Sequence, residues 1–255
     1  MNNSSSLWRA TAINTGVSVL LFGILFLCLY AAEHFFPGIT LLKWDDAAWC
    51  VGIPASIIGV AYILSIKNPA NYTGFYAGIL MSILLGIQFY LQGNIDLTVL
   101  YFFIFIPFQA KSIINWSKSS GTDAPFSPEF LSVNGLLLSL LAFVVITVAD
   151  YFLAIKVINP LPADPALSDY MLALFGALML SSSVLANFWL IYRKTDSWVY
   201  WFIYSVAGIA FYVILGNAFS IVLFTFFLVI NSMAGIAWLR MTDREHMGWL
   251  RFGKA

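Results

Sequence analysis

Hydrophobic residues follow one another along this chain in long runs that polar residues seldom interrupt. Crossing the hydrocarbon layer of a membrane takes about 20 apolar residues, each adding about 1.5 Å of helical rise. Eight stretches meet or approach this length, and they are residues 12–31, 48–66, 73–91, 96–115, 131–156, 170–192, 198–215 and 219–239. The pattern predicts an all-α integral membrane protein with eight transmembrane helices.

Composition agrees with a membrane chain and excludes several other classes of protein. Hydrophobic residues make up 61% of the sequence and charged residues 9%, whereas about a quarter of an average soluble domain is charged. The 12 basic and 12 acidic residues cancel, so no basic stripe for nucleic acid is expected. Cys28 and Cys50 have neither the spacing of a zinc site nor that of a disulfide scaffold. The N-terminal apolar segment lacks a small-residue cleavage pattern and is interpreted as a retained helix.

The basic residues predict the orientation in the membrane, because short cytosolic loops retain Lys and Arg. With the N-terminus inside, the outer segments contain Lys43 and Lys156, and the cytosolic segments contain the other ten basic residues. We therefore expect both termini in the cytosol. The cytosolic ten are Arg9, Lys67, Lys111, Lys118, Arg193, Lys194, Arg240, Arg244, Arg251 and Lys254.

Two short outer connections, LQGNID and LGNAFS, are alike and suggest an internal repeat. Both contain Gly-Asn, which favours tight turns because these residues tolerate positive φ. Shifting the chain by 122 residues places Trp116 on Trp238 and Gln109 on Asn231. Helices two to four therefore match helices six to eight.

A shift of 126 residues places Tyr72 and Phe75 on Trp198 and Trp201. Because the copies lie four helices apart, they cross the membrane in the same direction, as in a parallel repeat. The predicted organisation is an N-terminal helix and outer loop, a first three-helix repeat, a linker helix, a second three-helix repeat and a cytosolic tail. Their bounds are 1–47, 48–116, 117–169, 170–239 and 240–255.

Catalytic chemistry inside a membrane usually needs a nucleophile with a base, a carboxylate pair or a metal cluster. The apolar stretches contain none of these arrangements, so we expect no catalytic residue, no metal and no cofactor. The acidic residues lie near helix ends, as Asp96 and Asp150 do, whereas an ion-coupled carrier ordinarily buries an acid near the midplane. Coupling to an ion gradient is therefore not predicted.

Neutral polar and aromatic residues remain as candidates for a binding site. Gln109 and Asn231 each lie seven residues before a tryptophan, which places both carboxamides about 10 Å along the helix from that indole. The alternative for each carboxamide is an ordinary interhelical hydrogen bond, and for Trp198 a place in the interfacial aromatic belt. The predicted substrate-binding residues are Trp198, Trp201, Tyr204, Asn231, Gln109 and Asn187, with Gln88 and Tyr212 in an outer layer.

The pair Trp198 and Trp201 presents two indoles on one side of a helix, since residues three apart are neighbours there. Indoles hold a flat ring by stacking, or a ring cation through the aromatic quadrupole. Carboxamides beside them exchange hydrogen bonds with hydroxyls or amides. The combination fits a small, flat, polar heterocycle without a phosphate, because no Arg or Lys lies at this depth.

The sequence resembles the PnuC family of bacterial vitamin-precursor transporters over roughly residues 48–239. The similar features are the basic pair RK followed by WVYW, the downstream GN turn, FFLVINSMAGIAW, and FIPFQAKSIINW in the first half. The resemblance implies a SWEET-like fold, a homotrimer in the bacterial inner membrane, and facilitated diffusion of nicotinamide riboside. Phosphorylation in the cytosol would then trap the product.

The resemblance also implies site residues, with Trp198 and Trp201 on the nicotinamide ring and Asn231 and Gln109 as polar contacts. Alternatives are transport of thiamine or riboflavin and, from another class, an integral membrane enzyme or a structural bundle. The chain departs from the family in its additional first helix. It also has Tyr72 and Phe75 where the second repeat has tryptophans, so we expect an asymmetric site formed mainly by helix seven.

Overall fold

The computed structural model describes residues 3–35, 45–93, 95–119, 128–158 and 160–242. Within these ranges eight helices are long and apolar enough to cross a membrane, and no strand is present. The predicted all-α class with eight membrane helices is therefore confirmed. The helices are α1 (Asn3–Phe35), α2 (Ala47–Ile66), α3 (Gly74–Leu91), α4 (Ile95–Leu100, Tyr101–Phe105 and Ile106–Ser119), α5 (Val133–Leu153 and Ala154–Ile158), α6 (Leu167–Ile191), α7 (Ser197–Ile214) and α8 (Ala218–Met241).

Helix starts and turns use the local chemistry that the sequence indicates. The Asn217 side chain caps α8 by accepting a hydrogen bond from the Ser220 backbone N–H at 3.1 Å, and Asp46 caps α2 in the same way. Gly93 and Gly216 have φ of 76° and 66°, in a region that favours glycine. The predicted Gly-Asn turns therefore carry positive φ at both glycines, while Asn94 lies outside the described residues.

Pro54 and Pro107 lie inside the second and fourth predicted helices, where proline removes a backbone hydrogen bond, and the two differ in their effect. α2 continues through Pro54 as one helix from Ala47 to Ile66. In α4 the residues Tyr101–Phe105 form a π-helical turn just before Pro107, and the Ile106 N–H bonds to the Tyr101 carbonyl five residues back. A π turn accommodates one extra residue within a helix. The local change in helical winding thus occurs in α4.

The described residues divide into two compact units, and the first is Met1–Phe126. Within it α2 packs against α1 and α3, and α3 packs against α4. Buried side chains hold α1 to the loop before α3: Thr11 lies 2.8 Å from the Thr73 hydroxyl and accepts a hydrogen bond from Asn71 at 3.1 Å. The first helix is therefore anchored by polar contacts as well as by apolar packing.

The second unit is Ser127–Ala255, in which α7 packs between α6 and α8, and α5 packs against α6. Ser139 on α5 lies 2.6 Å from the Tyr200 hydroxyl on α7 and accepts a hydrogen bond from the Trp189 indole on α6 at 2.7 Å. One serine thus joins three helices and fixes the rotation of α7. The predicted repeat and its boundaries stay a prediction.

Candidate functional site

The two tryptophans of α7 are buried. Trp198 is 4% exposed and Trp201 7% exposed. The Trp198 indole stands edge-on to that of Trp238 on α8, with ring centroids 5.5 Å apart. Gly235 permits this close approach, because a Cβ there would lie 3.1 Å from the Cβ of Trp198. An interfacial belt residue would face lipid headgroups, so the burial of Trp198 favours a role inside the protein.

Asn231 of α8 lies against the same part of α7. Its side chain is 1% exposed, and its Nδ2 donates to the Ser205 hydroxyl at 3.0 Å. The same nitrogen lies 3.4 Å from the backbone oxygen of Trp201. The structure therefore brings together Trp201 and Asn231, two residues that the sequence placed in one layer. Ser205 is a contact that sequence reasoning missed.

A row of aromatic rings continues from Trp201 along the α7–α8 contact. Trp201 stands edge-on to Tyr204 at 5.5 Å, and Tyr204 lies 5.3 Å from Phe224. Phe224 in turn lies 5.2 Å from Tyr212, so the row includes two predicted tyrosines. Sequence reasoning missed Phe224. The signal that could have found it is Gly208, which lies between the two tyrosines on one face of α7 and leaves space for a ring.

Three buried polar atoms on predicted site residues of this unit make no hydrogen bond within the described part of the chain, and Ser197 Oγ at the start of α7 makes none either. The three are the indole Nε1 atoms of Trp198 and Trp201 and the Oδ1 atom of Asn231. Leaving such an atom buried and unpaired costs about 1–3 kcal/mol. Two donors and one acceptor are therefore available for a ligand, beside aromatic faces that can hold a ring.

Gln109 belongs to the first unit, where it is 1% exposed. Its Nε2 donates to the Tyr62 hydroxyl at 3.2 Å, and its Oε1 would lie 2.8 Å from a Cβ at residue 78. The carboxamide thus covers Gly78. Behind it Phe75 stands edge-on to Trp116 at 4.6 Å, in a pairing like that of the two tryptophans in the second unit.

Helix positions differ from the register that the sequence suggested. α3 and α7 both have 18 residues, and Phe75 and Trp198 are each second in their helix. Trp201 is fifth in α7, and the fifth residue of α3 is Gly78 rather than Phe75. The connection before α3 is longer than the connection before α7. A shift that aligns residues of the two connections therefore does not align the residues of the helices that follow them. By this register the second unit alone has an indole at the fifth position.

The remaining two predicted site residues have partners of other kinds. Asn187 is 3% exposed and donates from Nδ2 to the Ser183 backbone oxygen one turn earlier in α6, at 2.9 Å. Gln88 lies on α3 against α2, where its carboxamide would be 2.9 Å from a Cβ at Gly52. The Gln88 side chain therefore packs within the first unit, and its part in a site stays a prediction.

The loop before α7 contains three charged residues, Arg193, Lys194 and Asp196. Lys194 forms an ion pair with Glu129 at 2.7 Å, and the Asp196 carboxylate accepts the Leu131 N–H at 2.7 Å. Burial raises the pKa of Asp196 above its usual value. Arg193 is 6% exposed with φ of 55°, and burial lowers its pKa to about 10, so it remains charged at neutral pH.

Comparisons with known proteins define the class. A crystal structure described as that of the vitamin B3 transporter PnuC superposes with a TM-score of 0.59 at 15% sequence identity. The superposition covers 96% of this chain and 94% of that one, so the two chains share a fold. The chain belongs to the family described as nicotinamide mononucleotide transporter, whose sequence profile matches residues 49–240. A search of curated proteins found no match.

These findings confirm the family that the sequence motifs suggested. The matched range begins at residue 49 and so excludes α1, but the superposition covers 96% of this chain and therefore includes most of α1. The expectation that the first helix is an addition is therefore wrong for that solved structure. It includes both carboxamides, Gln109 and Asn231, and the whole of α7.

Proposed function

We propose that the protein is a uniporter that moves nicotinamide riboside across the bacterial inner membrane by facilitated diffusion. The observation that carries this proposal is the set of buried, unpaired polar atoms on Trp198, Trp201 and Asn231 beside the aromatic row of the second unit. Two N–H donors and one oxygen acceptor complement a carboxamide, which offers a carbonyl and an N–H₂ group.

The aromatic row supplies the attraction for the ring. In nicotinamide riboside the pyridine nitrogen carries the sugar, so the ring is a cation. A cation over a desolvated aromatic face gains about 2 kcal/mol. Trp201 and Tyr204 stand at 88° to each other, which lets one ring stack on the substrate while the other meets its edge.

The charges favour the riboside over the mononucleotide named in the family's description. The Trp201 ring contacts Tyr204, and the Asn231 amide bonds to Ser205. Both of these partners are uncharged. α7 contains no Lys or Arg, and Arg240 of α8 lies nine residues beyond Asn231, about 13 Å along the helix. A phosphate group would be left without a cationic partner at this site.

Uniport is supported by the distribution of acids. Among the Asp and Glu side chains whose burial the structure describes, none is fully buried, and the partly buried Asp196 lies in the loop before α7, whereas proton- and sodium-coupled carriers ordinarily use a carboxylate buried near the midplane. Uptake beyond equilibrium then requires that the substrate be removed inside the cell, and cytosolic phosphorylation performs this step. The phosphate prevents the product from returning through an uncharged site.

Uptake of labelled riboside into proteoliposomes, with no ion gradient imposed, tests the proposal. We expect equilibration to the same internal concentration with and without a proton or sodium gradient. Trapping requires a riboside kinase enclosed in the vesicles, which should raise the accumulated label above that level. Strict dependence on an ion gradient would contradict uniport.

Thiamine is the second candidate, because it is also a ring cation with an amine donor and a ring acceptor that the same three atoms could satisfy. Riboflavin is a larger alternative with a neutral ring system. Competition against labelled nicotinamide riboside by unlabelled thiamine, riboflavin and nicotinamide mononucleotide separates these substrates. Unlabelled nicotinamide riboside is the positive control, and we expect strong competition from it and not from the other three compounds.

The proposed arrangement has both termini in the cytosol, as the basic residues predict, and three copies per assembly, as the family resemblance implies. Protease protection of terminal tags in inside-out vesicles tests the first point. Mass determination of the purified protein in detergent tests the second.

A further inference from the structure

Both neighbours of the Asn231 amide nitrogen are hydrogen-bond acceptors. The nitrogen lies 3.0 Å from Ser205 Oγ and 3.4 Å from the backbone oxygen of Trp201. The Ser205 hydroxyl donates its single proton to that same backbone oxygen at 2.9 Å. It therefore has lone pairs to offer Asn231 but no proton.

This arrangement fixes which way the carboxamide is turned. Reversing it would place the Asn231 oxygen against the Trp201 backbone oxygen, which has no proton, and the Ser205 hydroxyl could donate to it only by giving up its bond to that backbone oxygen. With Ser205 fully buried and Asn231 1% exposed, water cannot relieve that repulsion. The nitrogen is thus held on the α7 side, and Oδ1 is the atom left available as an acceptor.

We propose that Ser205 is a positioning residue that sets the chemical specificity of the site by keeping Asn231 Oδ1 available for a ligand N–H group. This inference rests on the proposed function, because it requires Asn231 to contact the transported molecule. A primary carboxamide on the substrate ring can donate to Asn231 and accept from an indole. A carboxylate in its place has no N–H and presents negative charge to Oδ1. The inferred substrate class is therefore ring cations that carry a carboxamide, selected against their carboxylate analogues.

The first unit contains a matched serine without this arrangement. Ser82 is the ninth residue of α3, as Ser205 is of α7, and it donates to the Gly78 backbone oxygen at 2.9 Å. Both serines are fully buried. Gln109, the carboxamide of that unit, donates to Tyr62 instead. Replacing Ser82 thus removes a buried hydroxyl and its hydrogen bond to the backbone oxygen one turn earlier, as replacing Ser205 does. The orientation of the Asn231 carboxamide should not change.

The test compares binding of nicotinamide riboside and nicotinic acid riboside to the purified full chain by titration calorimetry. The proteins are wild type, Ser205→Ala, Asn231→Ala, the double variant and the control Ser82→Ala. We expect wild type to prefer the carboxamide, and Ser205→Ala to weaken carboxamide binding about tenfold while changing carboxylate binding little. The double variant should bind like Asn231→Ala, because Ser205 acts through Asn231. Ser82→Ala should keep the wild-type preference.

Each other outcome has a distinct meaning. If wild type binds neither riboside, the proposed function fails and this inference fails with it. If wild type binds but Ser205→Ala keeps the wild-type preference, or adds its loss to that of Asn231→Ala, Ser205 does not position Asn231 and this inference alone fails. Should Ser205→Ala fail to fold, Ser205→Cys preserves the volume, weakens the acceptor, and is held to the same outcomes.

Discussion

The ring of Phe224 on α8 occupies the space that a side chain on residue 208 of α7 would need, and the residue there is glycine. The same ring contacts Tyr204 at 5.3 Å and Tyr212 at 5.2 Å. Close approach of these two helices therefore brings the aromatic row together. This contact links the packing of the second unit to its candidate site.

Gly208→Ala should destabilise the protein, because the added methyl group collides with the Phe224 ring. Overpacking of this kind costs about 1–3 kcal/mol. Thermal unfolding in detergent should show a lower midpoint. Gly23→Ala is the control, since a Cβ there meets no atom within 4 Å and should leave the midpoint unchanged or slightly higher. Equal effects of the two substitutions would contradict the packing explanation.

Trp201→Ala should weaken binding of nicotinamide riboside about thirtyfold, because it removes a desolvated aromatic face worth about 2 kcal/mol. Trp201→Phe retains a ring but loses the indole N–H, so its binding should fall between that of wild type and that of the alanine variant. Calorimetry on the purified protein measures both. Phe202→Ala is the control, because the Phe202 side chain on the same helix is 47% exposed, and this variant should bind like wild type. Unchanged binding by Trp201→Ala would remove Trp201 from the site.

Asp196→Asn should remove a pH-dependent part of the stability. Burial raises the pKa of Asp196 above its usual value of 3.8, so the folded protein binds the proton more tightly than the unfolded chain. That contribution is complete below pH 3.8 and declines as the pH rises through the raised pKa. Unfolding midpoints from pH 3 to 8 should show this decline in wild type and a flatter profile in Asp196→Asn, whose amide oxygen can still accept the Leu131 N–H.

Tyr62→Phe should lower stability by about 1 kcal/mol, because the Gln109 amide loses its acceptor in a buried place. The unfolding midpoint in detergent measures the effect. Tyr30→Phe, at a tyrosine that is 66% exposed, serves as the control and should leave the midpoint unchanged. No loss of stability in Tyr62→Phe would indicate that Gln109 finds another acceptor.

Much of the fold could be predicted because the bilayer imposes a length and a polarity on each helix. The predicted segment 48–66 corresponds to Ala47–Ile66, and 198–215 to Ser197–Ile214. The first segment was predicted to begin at residue 12, but α1 begins at Asn3. Its polar N-terminal part is helical, and Thr11 there accepts a hydrogen bond from Asn71 in the loop before α3. Hydropathy does not predict this contact.

The candidate site was predicted in part. Trp201 and Asn231 could be placed in one layer because helical rise converts sequence spacing into depth. Spacing along one helix does not give the distance to another helix. Ser205 was missed for this reason, since its importance comes from the Asn231 amide 26 residues away in sequence. Gln88 was predicted from depth to lie in an outer layer, and the structure shows it packed against Gly52 in the first unit, so its part in the site stays a prediction.

Sequence by itself determined the class of this protein, its eight membrane helices and the family motif around α7, since hydropathy and residue identity are properties of the chain. Tertiary structure alone decided which polar atoms have partners. Ser205 and the Trp201 carbonyl take the Asn231 nitrogen and leave its oxygen unpaired, and this follows from the rotation and approach of α7 and α8. Hydrogen bonds depend on direction and on distances within about 3.5 Å, and only packed helices fix these quantities.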